Sequence, residues 1–382
     1  MPVRFGHSRA SGAGAALAEL ASEIGQANMA LVILFASPAF ERQSLAAAIA
    51  DQFAGVTVFG CTTAGEIGPE GYSEDTITAA SFSADEFAAT ITLIPDLDRF
   101  QMDHGEQVVA GALARHRHHA LCSGTIRTEL LGILLIDGLS RQEEAVIASL
   151  SRFLDTVNLF GGSAGDGLGF RKTWVFCDGV FHTNAAVLAL VQTTCPFKVF
   201  RFDHFKPTER KMVVTGADPQ RRLVTEINAE PAAPEYARLV GLDAAQLSPM
   251  IFASYPVLVR VGGEYHVRSI QKVEDDGSLR FYCAIDEGLV LTVADSMDIA
   301  QHLDRALGEV KAQLGEPQVI LGFDCILRRL EVEQKQKSRE VSGILRRHKV
   351  IGFCTYGEQY RSMHVNQTFT GVAIGASPPA TV

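Results

Sequence analysis

A repeated pattern of strand, helix and strand constrains this fold more than any other feature of the sequence. In each copy an aliphatic run typical of a buried strand is followed by a helical stretch and by a second apolar run, which ends in a glycine-rich turn. The distance from Ser37 to Phe59 equals that from Gly138 to Phe160, 22 positions in each case. The three copies are VILFAS to VFGCTTAGE (32–66), ILLIDG to LFGGSAGD (133–166) and the slightly longer VILGFD to VIGFCTYGE (319–358).

These copies predict an α/β fold built from repeated β-α-β units, with parallel strands joined by right-handed crossovers. Runs such as TITAASF and TFTGVAIG predict further strands, and the Asp276-Gly277 pair predicts a hairpin, so we expect mixed sheets. An amphipathic helix is predicted between Asp295 and Pro317, with Asp295 or the next residue as its N-cap. We place the boundary between two related domains near residue 215, which gives domains 1–215 and 216–382.

Composition excludes several classes of partner. The net charge of -10 over 382 residues argues against a nucleic-acid partner, because phosphate binding needs basic patches. No stretch reaches the roughly 18 apolar residues of a membrane span, and the N-terminus lacks the apolar core of a signal peptide. The seven cysteines are scattered without a CxxC pair, which is typical of buried cytosolic thiols. We therefore expect a cytoplasmic protein without membrane insertion, and its oligomeric state, including a homo-oligomer, stays open.

The glycine-rich turns are the first candidates for ligand binding. Two of them share a Thr-x-Gly-Glu sequence that follows a strand. Such turns offer backbone N–H groups and hydroxyls at the carboxyl ends of parallel strands, where α/β folds bind their ligands. The alternative is that the glycines make tight turns required for packing. The candidate residues are Thr63, Gly65, Glu66, Thr355, Gly357 and Glu358.

Three histidines are candidates for holding the iron of haem b. A haem pocket needs an imidazole, an apolar and aromatic shell, and a cation for the propionates. His204 fits this description best, because phenylalanines flank it and Lys206 follows it in FRFDHFKPTE. His182 and His364 each precede a strand within a matching His-x-Asn sequence. For each of the three, the alternative is a structural histidine held by hydrogen bonds.

Arginines and cysteines supply the remaining candidates. Arg260 and Arg268 flank a hairpin turn, and their planar guanidinium groups suit a carboxylate ligand, with surface ion pairs as the alternative. Cys61 and Cys354 lie in the glycine-rich turns, but no known catalytic signature surrounds either residue. We therefore predict no enzymatic activity, with a thiol-dependent hydrolase or transferase as the weaker alternative.

Several of these segments together resemble the FIST family, a sensory module with N-terminal and C-terminal FIST domains. The resemblance covers roughly residues 25–377, nearly the whole chain. DHFKPT, INAEPAAPEYARLVGLD and GFDCILRRLE are also similar to the stand-alone group of nitric-oxide-sensing proteins. The segments that carry the family resemblance are GCTTAGEI (60–67), FGGSAGD (160–166), PVLVRVGG (256–263), CILR (325–328) and GFCTYGEQ with HVNQT (352–368).

The resemblance implies a cytoplasmic sensor of a small ligand. The nitric-oxide-sensing group is described as haem proteins that regulate a histidine kinase or a cyclic-di-GMP enzyme. Because this sequence has no kinase or cyclic-di-GMP segment, its output is expected to act on a separate protein. The alternative is a haem-free sensor of an amino acid or similar small acid, which would use the Thr-x-Gly-Glu turns and the arginines.

Overall fold

The structure, a computed structural model, describes residues 2–123, 129–155 and 157–376. Three consecutive units of the chain repeat one order of elements: an edge strand, a helix, a strand, a helix, a strand, a short hairpin and a final strand. The first unit comprises β1 (Val3–Ser8), α1 (Ala13–Ile24), β2 (Met29–Ala36), α2 (Arg42–Gln52), β3 (Thr57–Thr62), β4 (Glu66–Gly68), β5 (Gly71–Ser73) and β6 (Ile77–Ser83).

The second unit repeats this order without interruption. It comprises β7 (Phe87–Ile94), α3 (His104–Ser123), β8 (Glu129–Ile136), α4 (Glu143–Leu154), β9 (Asn158–Ser163), β10 (Val175–Cys177), β11 (Val180–His182) and β12 (Ala186–Thr193).

The third unit carries an insert between its edge strand and its first helix. The edge strand is β13 (Phe197–Phe202). The insert comprises β14 (Phe205–Asp218), β15 (Leu223–Ile227), β16 (Glu230–Pro231), α5 (Ala232–Val240), α6 (Pro249–Ser254), β17 (Val257–Val261), β18 (Glu264–Arg268), β19 (Ile270–Val273), β20 (Leu279–Phe281) and β21 (Val290–Ser296). The unit then continues with α7 (Ile299–Leu314), β22 (Val319–Cys325), α8 (Ile326–Gln334), α9 (Ser338–Arg347), β23 (Val350–Thr355), β24 (Glu358–Tyr360), β25 (Met363–Val365) and β26 (Phe369–Ile374).

Each unit forms a six-stranded mixed sheet and exchanges its hairpin with another unit. The sheet orders are β1-β6-β2-β3-β10-β11, β7-β12-β8-β9-β24-β25 and β13-β26-β22-β23-β4-β5. The hairpin of unit 1 thus completes the sheet of unit 3, that of unit 2 completes the sheet of unit 1, and that of unit 3 completes the sheet of unit 2. In every sheet the two central strands are parallel and the other pairs are antiparallel.

One glycine in the third strand of each unit confirms that the units are equivalent. Gly60, Gly161 and Gly352 lie opposite Leu34, Leu134 and Gly322 on the neighbouring parallel strand. A Cβ atom would come within 1.9 Å of the neighbouring strand's carbonyl oxygen at the first two glycines and within 1.8 Å at the third. The same steric demand recurs at three matching positions. The predicted α/β fold of repeated β-α-β units with mixed sheets is therefore confirmed, and the two halves are related through these units.

The three sheets share one apolar core rich in phenylalanine. Phe35 of unit 1 stacks on Phe353 of unit 3 with ring centroids 4.6 Å apart, and Phe160 of unit 2 stacks on Phe323 at 5.6 Å. All four rings are fully buried, which stabilises the fold by roughly 1.5–3 kcal/mol per side chain. Because rings from all three units meet here, no unit can bury its inner face alone.

The insert has its own core and is connected to the third unit by two neighbouring strands, β14 and β21. Its eight strands form one sheet, in the order β18-β17-β21-β14-β15-β20-β19 with β16 beside β15. Tyr236 of α5 is fully buried against this sheet, and its hydroxyl donates to the Tyr255 carbonyl at 2.6 Å. Phe205 at the start of β14 lies opposite Ser296 at the end of β21, so the insert begins and ends side by side.

Two local predictions have different outcomes. The hairpin at Asp276-Gly277 is confirmed, since β19 and β20 are antiparallel neighbours and Gly277 has a φ of 80°. The helix predicted to open at Asp295 begins instead at Ile299, because Asp295 lies in β21 and Asp298 accepts the first backbone N–H groups. Within the described residues, no helix is long and apolar enough to cross a membrane.

Candidate functional site

The Thr-x-Gly-Glu turn of unit 1 is a closed internal clamp. Glu66 is fully buried and accepts hydrogen bonds from the Thr63 hydroxyl and from the hydroxyl and backbone N–H of Thr76, at 2.8 and 3.1 Å for Thr76. Gly65 leaves room for the Arg329 guanidinium, which a Cβ atom would meet at 1.7 Å. Burial raises the pKa of Glu66 to about 7. The carboxylate thus fastens the start of β4 to the start of β6.

Unit 3 repeats this clamp residue for residue. Glu358 accepts from the Thr355 hydroxyl and from the Thr368 hydroxyl at 2.7 Å, and it is fully buried. Burial raises its pKa to about 8. Gly357 packs against the ring of His364, which a Cβ atom would approach within 2.3 Å. The six turn residues predicted for ligand binding therefore lie in two buried clamps, and three of them, Thr63, Gly65 and Glu66, also line a cavity of about 320 Å³.

His204 lies in a buried ion-pair network. Its Nδ1 is 2.7 Å from Nη1 of Arg328 and its Nε2 is 2.8 Å from Oε2 of Glu331. A guanidinium can only donate, so Nδ1 accepts and the ring proton is on Nε2. Burial lowers the pKa of His204 to about 4. For Glu331, the hydrogen bond from His204 and its other polar contacts outweigh burial and lower its pKa to about 2.

This network does not fit haem at His204. An iron ligand needs a ring nitrogen with an available lone pair, and both nitrogens of His204 are engaged. The network also ties together the two ends of the insert, because Ser296 donates to Glu331 at 2.8 Å. Lys206, the predicted propionate partner, is exposed on β14 opposite Asp295.

The other two histidines lie in different hairpins. His182 is partly exposed at the end of β11, in the hairpin that completes the sheet of unit 1. His364 is buried in β25, and its Nδ1 lies 3.3 Å from Nε2 of Gln359. Burial lowers the pKa of His364. The structure therefore does not bring His182, His204 and His364 to one site.

The two predicted arginines lie in the hairpin of β17 and β18. Arg260 is exposed at its end, with its guanidinium 5.8 Å from the ring centroid of Tyr265. Arg268 is half-buried, and its Nε has no hydrogen-bond partner among the described residues. Its charge acts on His364 of unit 3. Neither arginine lines the cleft between the insert and the repeated units.

That cleft, of about 820 Å³, lies where unit 2, unit 3 and the insert meet. Its volume is that of small-molecule sites, which often form between domains. Unit 2 and unit 3 supply Gly138, Leu139, Arg141, Glu143, Leu168, Phe170, Leu330 and Tyr356, and the insert supplies Arg221, Arg222, Pro249, Met250, Gln271, Lys272, Arg280, Phe281 and Tyr282.

An aromatic group and a buried ion pair form the cleft walls. Phe170 stacks on Tyr356 with ring centroids 4.4 Å apart and lies 5.9 Å from Tyr282. Arg222 donates from Nη2 to Glu143 at 2.8 Å and to Glu144 at 2.6 Å, and it also donates to the Tyr282 carbonyl. This ion pair joins the insert to α4 of unit 2.

The family models match both halves of the chain. The model of the FIST N domain matches residues 30–230, more than half of the chain, and that of the FIST C domain matches residues 232–361. The chain belongs to the FIST family. FIST domains are signal-transduction sensor domains that bind small ligands. A search of curated proteins finds no match.

The boundary between the two FIST models does not coincide with a boundary between repeated units. The two models meet at residue 231, whereas the boundary predicted from sequence, 215, falls inside β14. The FIST N match ends within the insert, since it includes β14 and β15 but not α5. The cleft is therefore lined by residues from both FIST matches.

The cleft residues were not among those that the sequence indicated. Phe170 lies in the connection between β9 and β10, which is much longer than the matching connections in units 1 and 3. That difference is visible when the three copies are aligned, and it could have identified the loop. Arg222 and Tyr282 belong to the insert, which has no second copy for comparison, so no such signal exists for them.

A second concave surface of this FIST protein is an apolar groove of about 920 Å³ beside α2 and α3. Apolar residues such as Phe53, Val58 and Ile91 line it, together with Arg115 and His118 of α3. Arg115 donates to the Thr92 hydroxyl at 2.7 Å. The groove thus combines an imidazole, a guanidinium and an apolar wall.

The turn cysteines of the two FIST halves are buried thiols. Burial raises the pKa of Cys61 well above its ordinary value and that of Cys354 to about 12. A thiol with a raised pKa forms little of the nucleophilic thiolate at neutral pH. In the described part of the chain, no cluster of three or more histidine, cysteine, aspartate or glutamate side chains is arranged to hold a metal ion.

Proposed function

We propose that this chain is a sensor that binds a small acidic molecule in the cleft between its FIST N and FIST C halves. The observation that carries the proposal is the concentration of cations there. Three cations lie in the insert beside Arg222, and Arg141 of unit 2 faces the same cleft. The three are Arg221, Lys272 and Arg280.

This charge distribution is unusual for the chain. The whole protein carries a net charge of -10, so a cluster of five cations is a local reversal of sign. Guanidinium groups bind carboxylates through paired hydrogen bonds, and a partly enclosed cleft strengthens them by excluding water. Amino acids and similar small acids are therefore the ligand class that the cleft favours.

A ligand in this position would contact unit 2 and the insert together. It would thereby stabilise one relative arrangement of the two FIST halves, which is the requirement for a ligand-driven signal. The family resemblance supports a separate output protein, such as a histidine kinase or a cyclic-di-GMP enzyme. We also propose that the chain is not an enzyme, and the raised pKa values of Cys61 and Cys354 support this.

Thermal unfolding with a panel of amino acids and small organic acids tests the ligand site. A bound acid should raise the Tm with increasing concentration, whereas the matching amide, which lacks the carboxylate, should not. Lys272→Glu reverses a charge inside the cleft and should abolish this shift. The matched control is Arg260→Glu, because Arg260 is exposed and lies outside the cleft. Equal loss in both variants would exclude the cleft as the site.

Haem binding is the second candidate function, with the groove at α3 as its site. The groove supports it because His118 is an imidazole, Arg115 is a cation for a propionate, and the wall is apolar. Haem bound there would supply an iron that takes nitric oxide. His118 would hold the iron and Arg115 a propionate.

Haem titration followed by absorbance separates this candidate from the acid sensor. A haem protein should develop a Soret band that His118→Ala removes and His204→Ala retains, since His204 is engaged in the buried network. A Soret band that survives His118→Ala but not His204→Ala would contradict the groove. Absence of any haem binding would leave the acid sensor as the function.

A further inference from the structure

We infer that the ligand of the cleft is a dianion whose two acidic groups are joined by an apolar segment. The inference rests on the proposed function and specifies its ligand. Five cations line the cleft, and three carboxylates bind them. Two of the five cations, both arginines, therefore form no ion pair, and a ligand with two negative charges would pair with both. The three carboxylates are Glu143 and Glu144 on Arg222, and Glu274 on Lys272 and Arg280.

Two arginines carry the charge that is available to a ligand. Arg141 and Arg221 are exposed residues of the cleft and form no ion pair with another described residue, and only the Asp276 carboxylate acts on Arg221 from a longer distance. Arg222 is already held by two carboxylates and by the Tyr282 carbonyl, so recruiting it would break existing contacts. The unpaired arginines are therefore the anchors, because binding through them costs no ion pair.

The two anchors come from different parts of the molecule. Arg141 lies between β8 and α4 of unit 2, and Arg221 lies between β14 and β15 of the insert. A single carboxylate can satisfy one guanidinium through paired hydrogen bonds. A ligand with two acidic groups can satisfy both arginines and bridge unit 2 to the insert. This bridging would couple ligand binding to the arrangement of the FIST halves.

The cleft that holds both anchors also has an apolar lining. Leu139, Phe170, Met250 and Leu330 line it, and Phe170 also presents an aromatic ring. An uncharged polar linker would lose its water contacts against these side chains without regaining hydrogen bonds. An aliphatic or aromatic linker has no such penalty. The ligand class is therefore a dicarboxylate or equivalent dianion with an apolar or aromatic middle.

Backbone conformation at the cleft supports a functional role. Arg141 has a φ of 58°, Phe170 of 49° and Arg222 of 53°, all in the left-handed region that non-glycine residues rarely adopt. Such conformations persist where the surroundings enforce them, and they cluster at ligand-binding sites. One cleft thus holds three of them, including one of the proposed anchors.

Calorimetric titration with matched probes tests the inference on the full chain. The probes are isophthalate and its monoamide 3-carbamoylbenzoate, which have the same shape but differ by one charge, and adipate with its monoamide. The diacid should bind at least about tenfold more tightly than its monoamide, which corresponds to about 1.4 kcal/mol. Arg141→Gln and Arg221→Gln should each reduce this preference to less than about threefold while retaining monoamide binding, and Arg260→Gln should preserve it.

The outcomes separate this inference from the proposed function. If the diacid and its monoamide bind wild type equally, the dianion inference is wrong and the acid sensor stands. The inference is also wrong if either arginine variant weakens both probes by the same factor, because the arginine would then act on any acid. If wild type binds neither these probes nor any acid of the panel, the proposed function itself fails. Circular dichroism shows whether each variant is folded. Arg141→Lys and Arg221→Lys keep the charge and should retain part of the preference for the diacid. Together these controls exclude loss of folding as the cause of a reduced preference.

Discussion

Units 1 and 3 close the carboxyl end of their third strand, whereas unit 2 opens it onto the cleft. In the closed units a threonine and a glutamate, such as Thr355 and Glu358, form a buried clamp, and the hairpin follows at once. Unit 2 has Ala164 at the position of Thr355 and Gly167 at that of Glu358, and residues 164–174 form a loop. The same frame thus yields short turns whose polar side chains satisfy one another, and a longer loop that lines the cleft.

In unit 2, Asp137 accepts some of the hydrogen bonds that hold this part of the chain in place. It accepts from the Thr173 hydroxyl at the far end of the loop and from the backbone N–H of Leu139 at 3.0 Å. Asp166 fixes the near end by accepting from the backbone N–H groups of Arg171 and Lys172, at 2.8 and 2.9 Å. The loop is therefore anchored at both ends, which leaves its middle to line the cleft.

The largest loss of folding stability is expected from substitutions of the glycine that all three units share. Gly60→Ala, Gly161→Ala and Gly352→Ala should each destabilise the protein by more than about 4 kcal/mol, because the new Cβ atom would collide with a carbonyl of the neighbouring strand. Denaturant unfolding measures this. Gly308→Ala in α7 is the control, since its Cβ atom would meet nothing within 4 Å and alanine favours a helix. Tolerance of one of the three substitutions would break the equivalence of the units.

Removal of a clamp carboxylate should cause the next largest loss of folding stability. Glu358→Ala leaves the Thr355 and Thr368 hydroxyls without their acceptor in a fully buried site, so we expect a loss of about 3–4 kcal/mol. Asp166→Ala, in the loop of unit 2, should cost no more than about 2 kcal/mol, because two of its three donors, the backbone N–H groups of Arg171 and Lys172, are close to solvent and only Tyr356 is buried. Equal losses on urea unfolding would contradict the distinction between clamp and loop.

The clamps should also give the protein a specific pH dependence. Burial raises the pKa of Glu358 from its ordinary 4.5 to about 8, so above pH 4.5 the unfolded chain loses this proton first. The free energy of unfolding should therefore fall between about pH 4.5 and pH 8, by on the order of 4 kcal/mol for this group. Glu358→Gln should flatten the curve in that window. A wild-type stability that rises with pH there would refute the protonated clamp.

The smallest effect on stability is expected in the open loop. Phe170→Leu removes a ring that stacks on Tyr356 but keeps an apolar side chain, so it should cost about 1 kcal/mol of folding stability. It should nevertheless weaken isophthalate binding about fivefold, because the ring lines the cleft. Titration and unfolding of the same variant test both. A stability loss as large as that of Glu358→Ala would show that the loop is part of the core.

Several features of the fold were predictable because they depend on local sequence. The β-α-β units follow from apolar periodicity, and Gly60, Gly161 and Gly352 mark matching strand positions. The hairpin at Asp276-Gly277 follows from turn chemistry. The threonine and glutamate of each clamp are three residues apart, so their pairing is local as well. The sequence identified these residues but could not show whether they are directed outward or inward.

The sequence by itself determined the repeated unit, the mixed α/β architecture and the FIST family. Only the tertiary structure decided the exchange of hairpins, the burial of His204 and the composition of the cleft. His204 looks like a haem ligand among its neighbours, yet its partner Glu331 is 127 positions away. Arg141 and Arg221 are likewise far apart in the chain and line one cleft only because the insert packs against unit 2. Short-range patterns fix strands and turns, whereas a charge becomes paired or available only when distant segments pack together.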